Sequence, residues 1–457
     1  MSTAKELKKE IERGVWDASL GKLYGRRAGV LERQRARYAD ALDCFAALYG
    51  GEREAAIYSA PGRTEIGGNH TDHNHGVVMA GAVDLDVIAV VSKNTDDVVR
   101  VKSKGFDGRD EVKLEQLSPV LAEQGRSAAL IRGVAAGIAK QGGVLGGFDA
   151  YTTSDVLRGS GLSSSAAFEV VIGTVFNGEY NQGRFSAVDI AKISQYAENE
   201  YFGKPSGLMD QTACSVGSVI TIDFRDPASP VVEKVDFDLA KHDYCLCITD
   251  TKGSHASLTN EYAAVRQEME AVAAYFDKPV LREVDESAFY ADIAGVREKL
   301  GDRAVLRAIH FFADSRRAGA LCSAIREDRF EDFLELIVAG GHSSFEYNQN
   351  AYSAKNPREQ GVSLGLALSQ HILEGYGAWR LQGGGFAGTI QAFVPVHLLE
   401  AYRAAMDSVF GEGSCYVLNV RNYGALCVTR HCKPCGKNGR LPRGESRRSM
   451  PCAVLHW

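Results

Sequence analysis

Two loops rich in glycine and polar side chains hold the residues best suited to chemistry. The first, residues 156–170 (VLRGSGLSSSAAFEV), runs from glycines and serines straight into helix formers. Such a loop directs free N–H groups and the positive end of a helix dipole at one point, which suits a phosphate group. It is not a Walker A loop, because no Gly-Lys-Ser/Thr follows. An ordinary glycine–serine turn that caps a helix remains an equal alternative for this stretch alone.

The second loop, residues 62–76 (GRTEIGGNHTDHNHG), packs one Arg, one Glu, one Asp, three His and two Asn into fifteen positions. This density of donors and acceptors suits a ligand with many hydroxyl groups. His70, His73 and His75 also allow a metal site, although their spacing matches no standard zinc motif and no cysteine is near. A solvated loop without function is the third interpretation.

Two further stretches have the composition of functional turns. Residues 203–211 (GKPSGLMDQ) form a glycine–proline turn just before Asp210, whose carboxylate is either a general base or a helix N-cap. Residues 383–388 (GGGFAG) lie between two strand-like segments. They indicate a backbone pressed against a ligand or, alternatively, a β-bulge.

Hydrophobic periodicity supplies the elements that must position these loops. Strands are predicted at residues 56–61 (stopping at Pro61), 84–91, 96–103, 147–153, 219–224, 244–249 and 389–394. Helices are predicted within residues 1–50 and at 128–140, from the first loop to 180, 186–201, 261–276, 302–317 and 330–340. This mixture predicts an α/β or α+β frame, and the composition shift at residues 226–230 (DPASP) predicts a domain boundary.

The totals limit the class of protein. The 457 residues suggest two or three domains, and 45% apolar with 24% charged residues is ordinary for a globular protein. A net charge of −6 argues against a nucleic-acid partner. No apolar run approaches the roughly 20 residues that span a bilayer, and the first ten residues lack a secretory core. The ten irregularly spaced cysteines indicate reduced thiols, so we expect a cytoplasmic protein.

Taken in order, these stretches resemble the GHMP family of small-molecule kinases and, within it, the galactokinases. The sugar loop (62–76), the phosphate loop (159–167) and the late glycine loop (383–388) occur in family order. Between them, residues 207–211 resemble the catalytic-aspartate motif and residues 257–262 a sugar-contacting tyrosine segment.

The resemblance spans about residues 60–424 and implies an α+β, two-domain GHMP kinase fold with the active site in the cleft between the domains. We expect a ribosomal-protein-S5-like α/β domain at 29–226 and an α+β domain at 227–430. Residues 1–28 are predicted to form a helical extension, and the basic tail 431–457 is predicted to be disordered. Cys432, Cys435, Cys452 and His456 in that tail also allow a zinc site.

The activity that the resemblance implies is phosphoryl transfer from ATP to the anomeric C1 hydroxyl of galactose. Such transfer depends on positioning and charge stabilisation. Asp210 would accept the hydroxyl proton, and Arg63 would hold both Asp210 and the phosphate. An arginine beside an aspartate favours the ionised carboxylate. The expected partners are a small sugar, ATP and Mg²⁺, with the protein a monomer and no membrane partner.

The same resemblance assigns the binding residues. Asn69, His70, Asp72, Gly207 and Tyr262 match sugar-binding positions. Gly159, Ser160, Gly161, Leu162, Ser163, Ser164, Ser165 and Ala166 match ATP-binding positions, and Ser165 and Glu198 match ligands of Mg²⁺.

The sugar loop departs from the family pattern at three places. The family has Asn where Glu65 stands, Glu where Asn69 stands and Tyr where His73 stands. Asn69 removes a charged acceptor expected near the C6 hydroxyl, and charged hydrogen bonds are roughly twice as strong as neutral ones. Galactose is the expected substrate, with arabinose or N-acetylgalactosamine as alternatives. A non-catalytic sugar sensor is disfavoured, because residues 163–167 and Asp210 are intact.

Overall fold

The described part of the chain folds around one sheet of eight strands and one of four. The computed structural model describes residues 2–156, 161–204, 206–253 and 258–431. The strands are β1 (Ala56–Gly67), β2 (Val77–Lys93), β3 (Val98–Ser103), β4 (Asp110–Lys113), β5 (Phe148–Ser154), β6 (Val219–Asp223), β7 (Val231–Val235), β8 (Tyr244–Asp250), β9 (Ala378–Leu381), β10 (Thr389–Pro395), β11 (Cys415–Leu418) and β12 (Leu426–Cys427).

The larger sheet has the order β12-β1-β2-β5-β3-β4, and β6 pairs with β2 and carries β7 on its other side. The smaller sheet has the order β11-β8-β10-β9. All of these pairings are antiparallel except that of β3 with β5.

Helices cover both sheets, which confirms the predicted mixed class. The α-helices are α1 (Ala4–Glu12), α2 (Asp17–Tyr24), α3 (Val30–Tyr49), α4 (Ser127–Lys140), α5 (Ser164–Tyr180), α6 (Ala187–Ala197), α7 (Met209–Val216), α8 (Thr259–Tyr275), α9 (Glu286–Ala291), α10 (Ile293–Leu300), α11 (Asp302–Arg326), α12 (Phe330–Ser343), α13 (Gly361–Leu373), α14 (Leu399–Phe410) and α15 (Val428–His431). Helices α5 and α7 pack against β1 and β2, and α12 and α13 against the smaller sheet. Two π-helical turns, Glu198–Phe202 and Ser344–Asn348, follow α6 and α12, and such turns are frequent at functional sites.

The prediction that a strand stops at Pro61 is wrong, because β1 continues to Gly67. The register of β1 against β2 shifts between Pro61 and Arg63. This irregularity allows the strand to include Pro61, which has no backbone N–H to donate to the neighbouring strand. The first six residues of the predicted sugar loop are therefore strand, and Arg63 is buried in the sheet.

The two sheets do not divide the sequence cleanly at residue 226. Strands β7 and β12 come from beyond that position and pair with β6 and β1 of the larger sheet. The predicted domain bounds therefore stay a prediction.

Among the described residues, no helix is long and apolar enough to cross a membrane. The seven described cysteines are free thiols, as predicted.

A buried charge cluster around Asp86 joins the N-terminal helices to the larger sheet. Asp86 is fully buried on β2, and its carboxylate lies 2.6 Å from Arg37 Nη1 and 2.9 Å from Arg421 Nη1. The hydroxyl of Tyr24, at the end of α2, also donates to Asp86 at 2.6 Å. The two arginines need this carboxylate, because removing one partner leaves a buried charge uncompensated.

We expect Asp86→Ala to lower the free energy of unfolding by about 3–5 kcal/mol, because Arg37 and Arg421 lose their shared partner. Urea denaturation followed by circular dichroism measures the change. Asp96→Ala is the matched control, since Asp96 pairs with Arg100 at the surface. Equal losses in the two variants would contradict the central role of the Asp86 cluster.

Candidate active site

An ion pair between Arg63 and Asp210 lies beside the phosphate loop. Nε and Nη2 of Arg63 each lie 2.7 Å from Asp210 Oδ1. Asp210 stands in the first turn of α7, where the helix dipole favours a carboxylate. Ser163 donates a hydrogen bond to Asp210 Oδ2, and Arg63 Nη1 donates one to the carbonyl oxygen of Gly161. The pair is therefore bonded directly to the loop.

The environment of Asp210 keeps its carboxyl group ionised at neutral pH. Burial raises the pKa of Asp210, whereas the Arg63 guanidinium and the hydrogen bonds from Arg63 and Ser163 lower it, and the net shift is downwards. The alternative interpretation of Asp210 as a helix N-cap is wrong, because Leu208 occupies that position of α7. The carboxylate is thus available as a proton acceptor.

The phosphate loop is described from Gly161 onwards, and the predicted residues Gly159 and Ser160 lie outside the described residues. Gly161 (φ +69°) and Ser163 (φ +57°) take left-handed backbone conformations immediately before α5 begins. The predicted order of loop and helix is confirmed. The helix therefore offers free N–H groups to an anion at this loop, while the Ser163 hydroxyl is occupied by Asp210.

Ser164 and Ser165 line a cleft of about 1150 Å³, whereas Leu162 and Ala166 are buried. The cleft is also lined by basic and aromatic side chains that sequence reasoning missed, namely Arg33, Lys104, Phe106, Arg109, Arg126, Phe168 and Phe202. They come from separate elements and form no motif. The one available signal was the stretch at residues 104–109 (KGFDGR), which mixes basic and aromatic residues directly after the predicted strand 96–103.

Glu198, which begins the first π-helical turn, is the best candidate for a metal ligand. Its Oε1 accepts hydrogen bonds from Ser165 Oγ at 3.1 Å and Lys204 Nζ at 2.8 Å, and its Oε2 accepts one from Gln211 Nε2 at 2.8 Å. Carboxylate and hydroxyl oxygens suit Mg²⁺, which is usually held by one or two carboxylates and substrate phosphates. The Lys204 ammonium group at Oε1 shows that this position accepts a cation.

Three predicted sugar-binding residues are attached to the late glycine loop. The side chains of Asn69, His70 and Tyr262 hydrogen-bond to the successive carbonyl oxygens of residues 383–385, at 2.7, 2.9 and 2.7 Å. The loop connects β9 and β10 in regular register, so the β-bulge interpretation is wrong.

Burial lowers the pKa of His70 to about 4, and the ring is neutral at pH 7. Within the described chain, no three His, Cys, Asp or Glu residues group to hold a metal.

Asp72 is in direct contact with the turn that carries Asp210. A Cβ added at Gly207 would overlap Asp72 Oδ2, so a side chain at this position would displace the Asp72 carboxylate. His73 Nε2 lies 3.6 Å from the other oxygen of Asp72. The sugar loop therefore meets the aspartate turn where Asp72 approaches Gly207, three residues before Asp210.

Glu65 and Asn69, two of the departures from the family pattern, are bonded to each other. Glu65 Oε1 accepts hydrogen bonds from Asn69 Nδ2 at 2.8 Å and from Arg380 Nη2 at 3.0 Å. Asn69 Oδ1 accepts one from Asn350 Nδ2 at 2.8 Å, so both ends of the Asn69 amide have protein partners. Burial raises the pKa of Glu65 to about 7, although Arg380 opposes the shift. The family's Glu and Asn have exchanged positions, and the acid now faces a buried arginine.

Family models and curated relatives match large parts of this chain. A family model described as a galactokinase galactose-binding signature matches residues 43–93, and one for the GHMP kinase N-terminal domain matches residues 129–218. A galactokinase of Streptomyces coelicolor is 32% identical over 371 residues, which cover 80% of this chain and 91% of the relative. A galactokinase of Actinobacillus pleuropneumoniae serotype 3 is also 32% identical, with coverage of 79% and 90%.

Solved structures share the fold. The galactokinase of Lactococcus lactis, solved as a complex with galactose, superposes with a TM-score of 0.72 at 24% identity, covering 86% of this chain and 99% of that one. A mevalonate kinase superposes with a TM-score of 0.56 at 13% identity, covering 79% and 99%. The predicted two-domain GHMP kinase fold is confirmed.

We expect Glu65→Asn and Asn69→Glu each to destabilise the protein, and the double variant to recover part of the loss. The first leaves Arg380 buried without its carboxylate, at a cost of about 3 kcal/mol, and the second places two carboxylates side by side. Urea unfolding of the four proteins gives a coupling energy, expected to be favourable by about 0.5–3 kcal/mol. Simple additivity would show that the two side chains do not act as a pair.

Proposed function

The chain belongs to the galactokinase family, and we propose that it transfers the γ-phosphoryl group of ATP to the C1 hydroxyl of galactose. The observation that carries this proposal is the Arg63–Asp210 pair. Its carboxylate is bonded to the phosphate loop through Ser163 and lies on the turn that touches Asp72 of the sugar loop. One ionised acid thus adjoins both substrates.

In the proposed reaction, the C1 hydroxyl oxygen attacks the γ-phosphorus of ATP while its proton passes to Asp210. The bond between the γ-phosphorus and the β–γ bridging oxygen breaks, and ADP leaves with that electron pair. Arg63 keeps Asp210 ionised and stabilises negative charge on the transferring group. The products are galactose 1-phosphate and ADP.

We assign ATP to the cleft beside Ser164 and Ser165, with its phosphates at the loop that includes Gly159 and Ser160. The four basic side chains of the cleft outnumber its three aspartates (Asp107, Asp110 and Asp155) and suit a triphosphate, and its aromatic side chains suit a purine ring. Ser165 and Glu198 would hold Mg²⁺, which would supply positive charge to neutralise the negative charge that develops during phosphoryl transfer.

We assign the sugar to the space bordered by Asp72, Gly207 and the late glycine loop. His70 and Tyr262 are attached to that loop, and Asn69 lies behind them with its amide engaged. Galactose is the proposed substrate, and arabinose and N-acetylgalactosamine are the alternatives that the exchange at Asn69 leaves open. A monomeric state and a cytoplasmic location stay predictions.

The experiment that tests the function is an ATP-coupled assay on galactose, N-acetylgalactosamine, arabinose and glucose. We expect ADP release to be fastest with galactose. A clear preference for another sugar would change the substrate assignment and leave the kinase assignment standing. Sugar and ATP binding without turnover of any of the four would favour a sensor.

We expect Asp210→Asn to lower kcat by roughly 10²–10⁴-fold, because the amide cannot accept the hydroxyl proton. Sugar binding, measured by calorimetry, should remain detectable. Asp223→Asn is the matched control, since Asp223 is an ion-paired aspartate on β6. Near wild-type kcat in Asp210→Asn would refute the assigned role.

We expect Glu198→Gln to raise the Mg²⁺ concentration needed for half-maximal activity by about tenfold or more, because a neutral amide replaces the charged ligand. Mg²⁺ titration at fixed ATP, with galactose saturating, measures the shift. Glu200→Gln, an exposed residue of the same π-helical turn, is the control. An unchanged Mg²⁺ requirement would remove Glu198 from the metal site.

A further inference from the structure

Two buried oxygen atoms next to the proposed metal site have no hydrogen-bond partner among the described residues. They are Oε1 of Glu169 and Oε1 of Gln211. Glu169 lies on α5, one helical turn after Ser165, and Gln211 follows Asp210 on α7. Both side chains are completely buried. Unpaired buried oxygens are costly, so their occurrence in adjacent side chains requires a physical explanation.

The known contacts of Glu169 and Gln211 show how the two groups face each other. Gln211 Nε2 donates to Glu169 Oε2 at 3.4 Å and to Glu198 Oε2 at 2.8 Å. The amide therefore presents its nitrogen to both acids, and its oxygen has no donor. An ionised Glu169 has only acceptors and cannot satisfy that oxygen.

One proton on Glu169 would satisfy both unpaired oxygens at once. A protonated carboxyl group donates through its O–H and accepts through its other oxygen, and a carboxamide donates through its nitrogen and accepts through its oxygen. Glu169 and Gln211 would then form a reciprocal acid–amide pair. In that pair, Glu169 donates to Gln211 Oε1, and Gln211 Nε2 donates to Glu169 Oε2.

We propose that Glu169 is a neutral carboxylic acid that positions Gln211, and through Gln211 orients the carboxylate of Glu198. The bond from Gln211 fixes Oε2 of Glu198, which leaves Oε1 directed at Ser165 and Lys204. Glu169 is thus a positioning residue that touches neither substrate. The catalytic consequence rests on the proposed function, whereas the protonation of Glu169 does not.

The charges around Glu169 favour this neutral form. Burial raises the pKa of Glu169 well above its usual range, and the Glu198 carboxylate adds to the rise. Asp210 acts in the same direction, whereas Lys204 opposes it. Lys204 is bonded to Glu198, and no ion pair of Glu169 occurs among the described residues.

The conservative variant Glu169→Gln distinguishes a neutral Glu169 from an ionised Glu169. Glu169→Gln supplies the same donor and acceptor, so we expect it to keep the apparent Mg²⁺ requirement within about threefold of wild type. Glu169→Leu removes both groups, and we expect the Mg²⁺ requirement to rise by about tenfold, as for the loss of other residues that orient metal ligands. The unfolding midpoint without substrates should fall in Glu169→Leu and be retained in Glu169→Gln.

Infrared spectroscopy tests the proton directly and independently of activity. At neutral pH the wild-type spectrum minus that of Glu169→Gln should contain the C=O stretch of a protonated carboxyl group. Glu179→Gln is the matched control, because Glu179 lies on the same helix and pairs with Arg430 at 2.9 Å. Its difference spectrum should contain carboxylate bands and no protonated stretch.

Two results would overturn the proposal. One is the absence of a protonated stretch that depends on Glu169. The other is a Glu169→Gln protein that resembles Glu169→Leu in both the Mg²⁺ titration and the unfolding midpoint, which would show that the negative charge itself is needed. If the wild-type protein phosphorylates none of the sugars but its spectrum contains the Glu169-dependent C=O stretch, that result contradicts only the proposed function.

Discussion

A carboxylate buried in a protein needs a positive charge or a proton, and this requirement organises the core of the molecule. Arginines neutralise the buried acids Asp86 and Glu65 and the partly buried Asp210. Asp86 pairs with Arg37 and Arg421, Glu65 with Arg380, and Asp210 with Arg63. Glu169 lacks such a partner among the described residues and lies beside Glu198, which already binds Lys204. A proton is the remaining way to neutralise Glu169.

Strand β1 connects the arginine-paired acids to one another. Ser59 hydrogen-bonds to Asp86 and Arg421, Arg63 holds Asp210, and Glu65 holds Arg380. The register of β1 against β2 shifts after Pro61 and again after Glu65. Bulges of this kind change the direction of side chains along a strand. The strand that supports the sheet therefore also sets the position of the arginine at the site.

The sequence predicted the parts of the site that local motifs encode. The phosphate loop and the turn before Asp210 each carry glycines and polar residues, and the late glycine loop carries four glycines. The structure brings the three together. The cleft side chains were missed because they come from several distant elements, and only tertiary packing gathers them. The end of β1 was predicted wrongly, since a register shift beside Pro61 depends on the partner strand. The partners of Asn69 were also beyond prediction, because Asn350 and Gly383 are some three hundred residues away.

The exchange of Glu65 and Asn69 has a consequence for how the sugar is selected. The family resemblance puts position 69 near the C6 hydroxyl, where a carboxylate would contribute about 1.5–3 kcal/mol through a charged hydrogen bond. In this chain the carboxylate at position 65 faces Arg380, and the Asn69 amide is bonded to Glu65, Gly383 and Asn350. A neutral amide with its partners already in place offers at most about 0.5–1.5 kcal/mol to a hydroxyl, which is roughly a tenfold preference or less. Discrimination between a hexose and a pentose at this position therefore has to come mainly from the shape of the pocket.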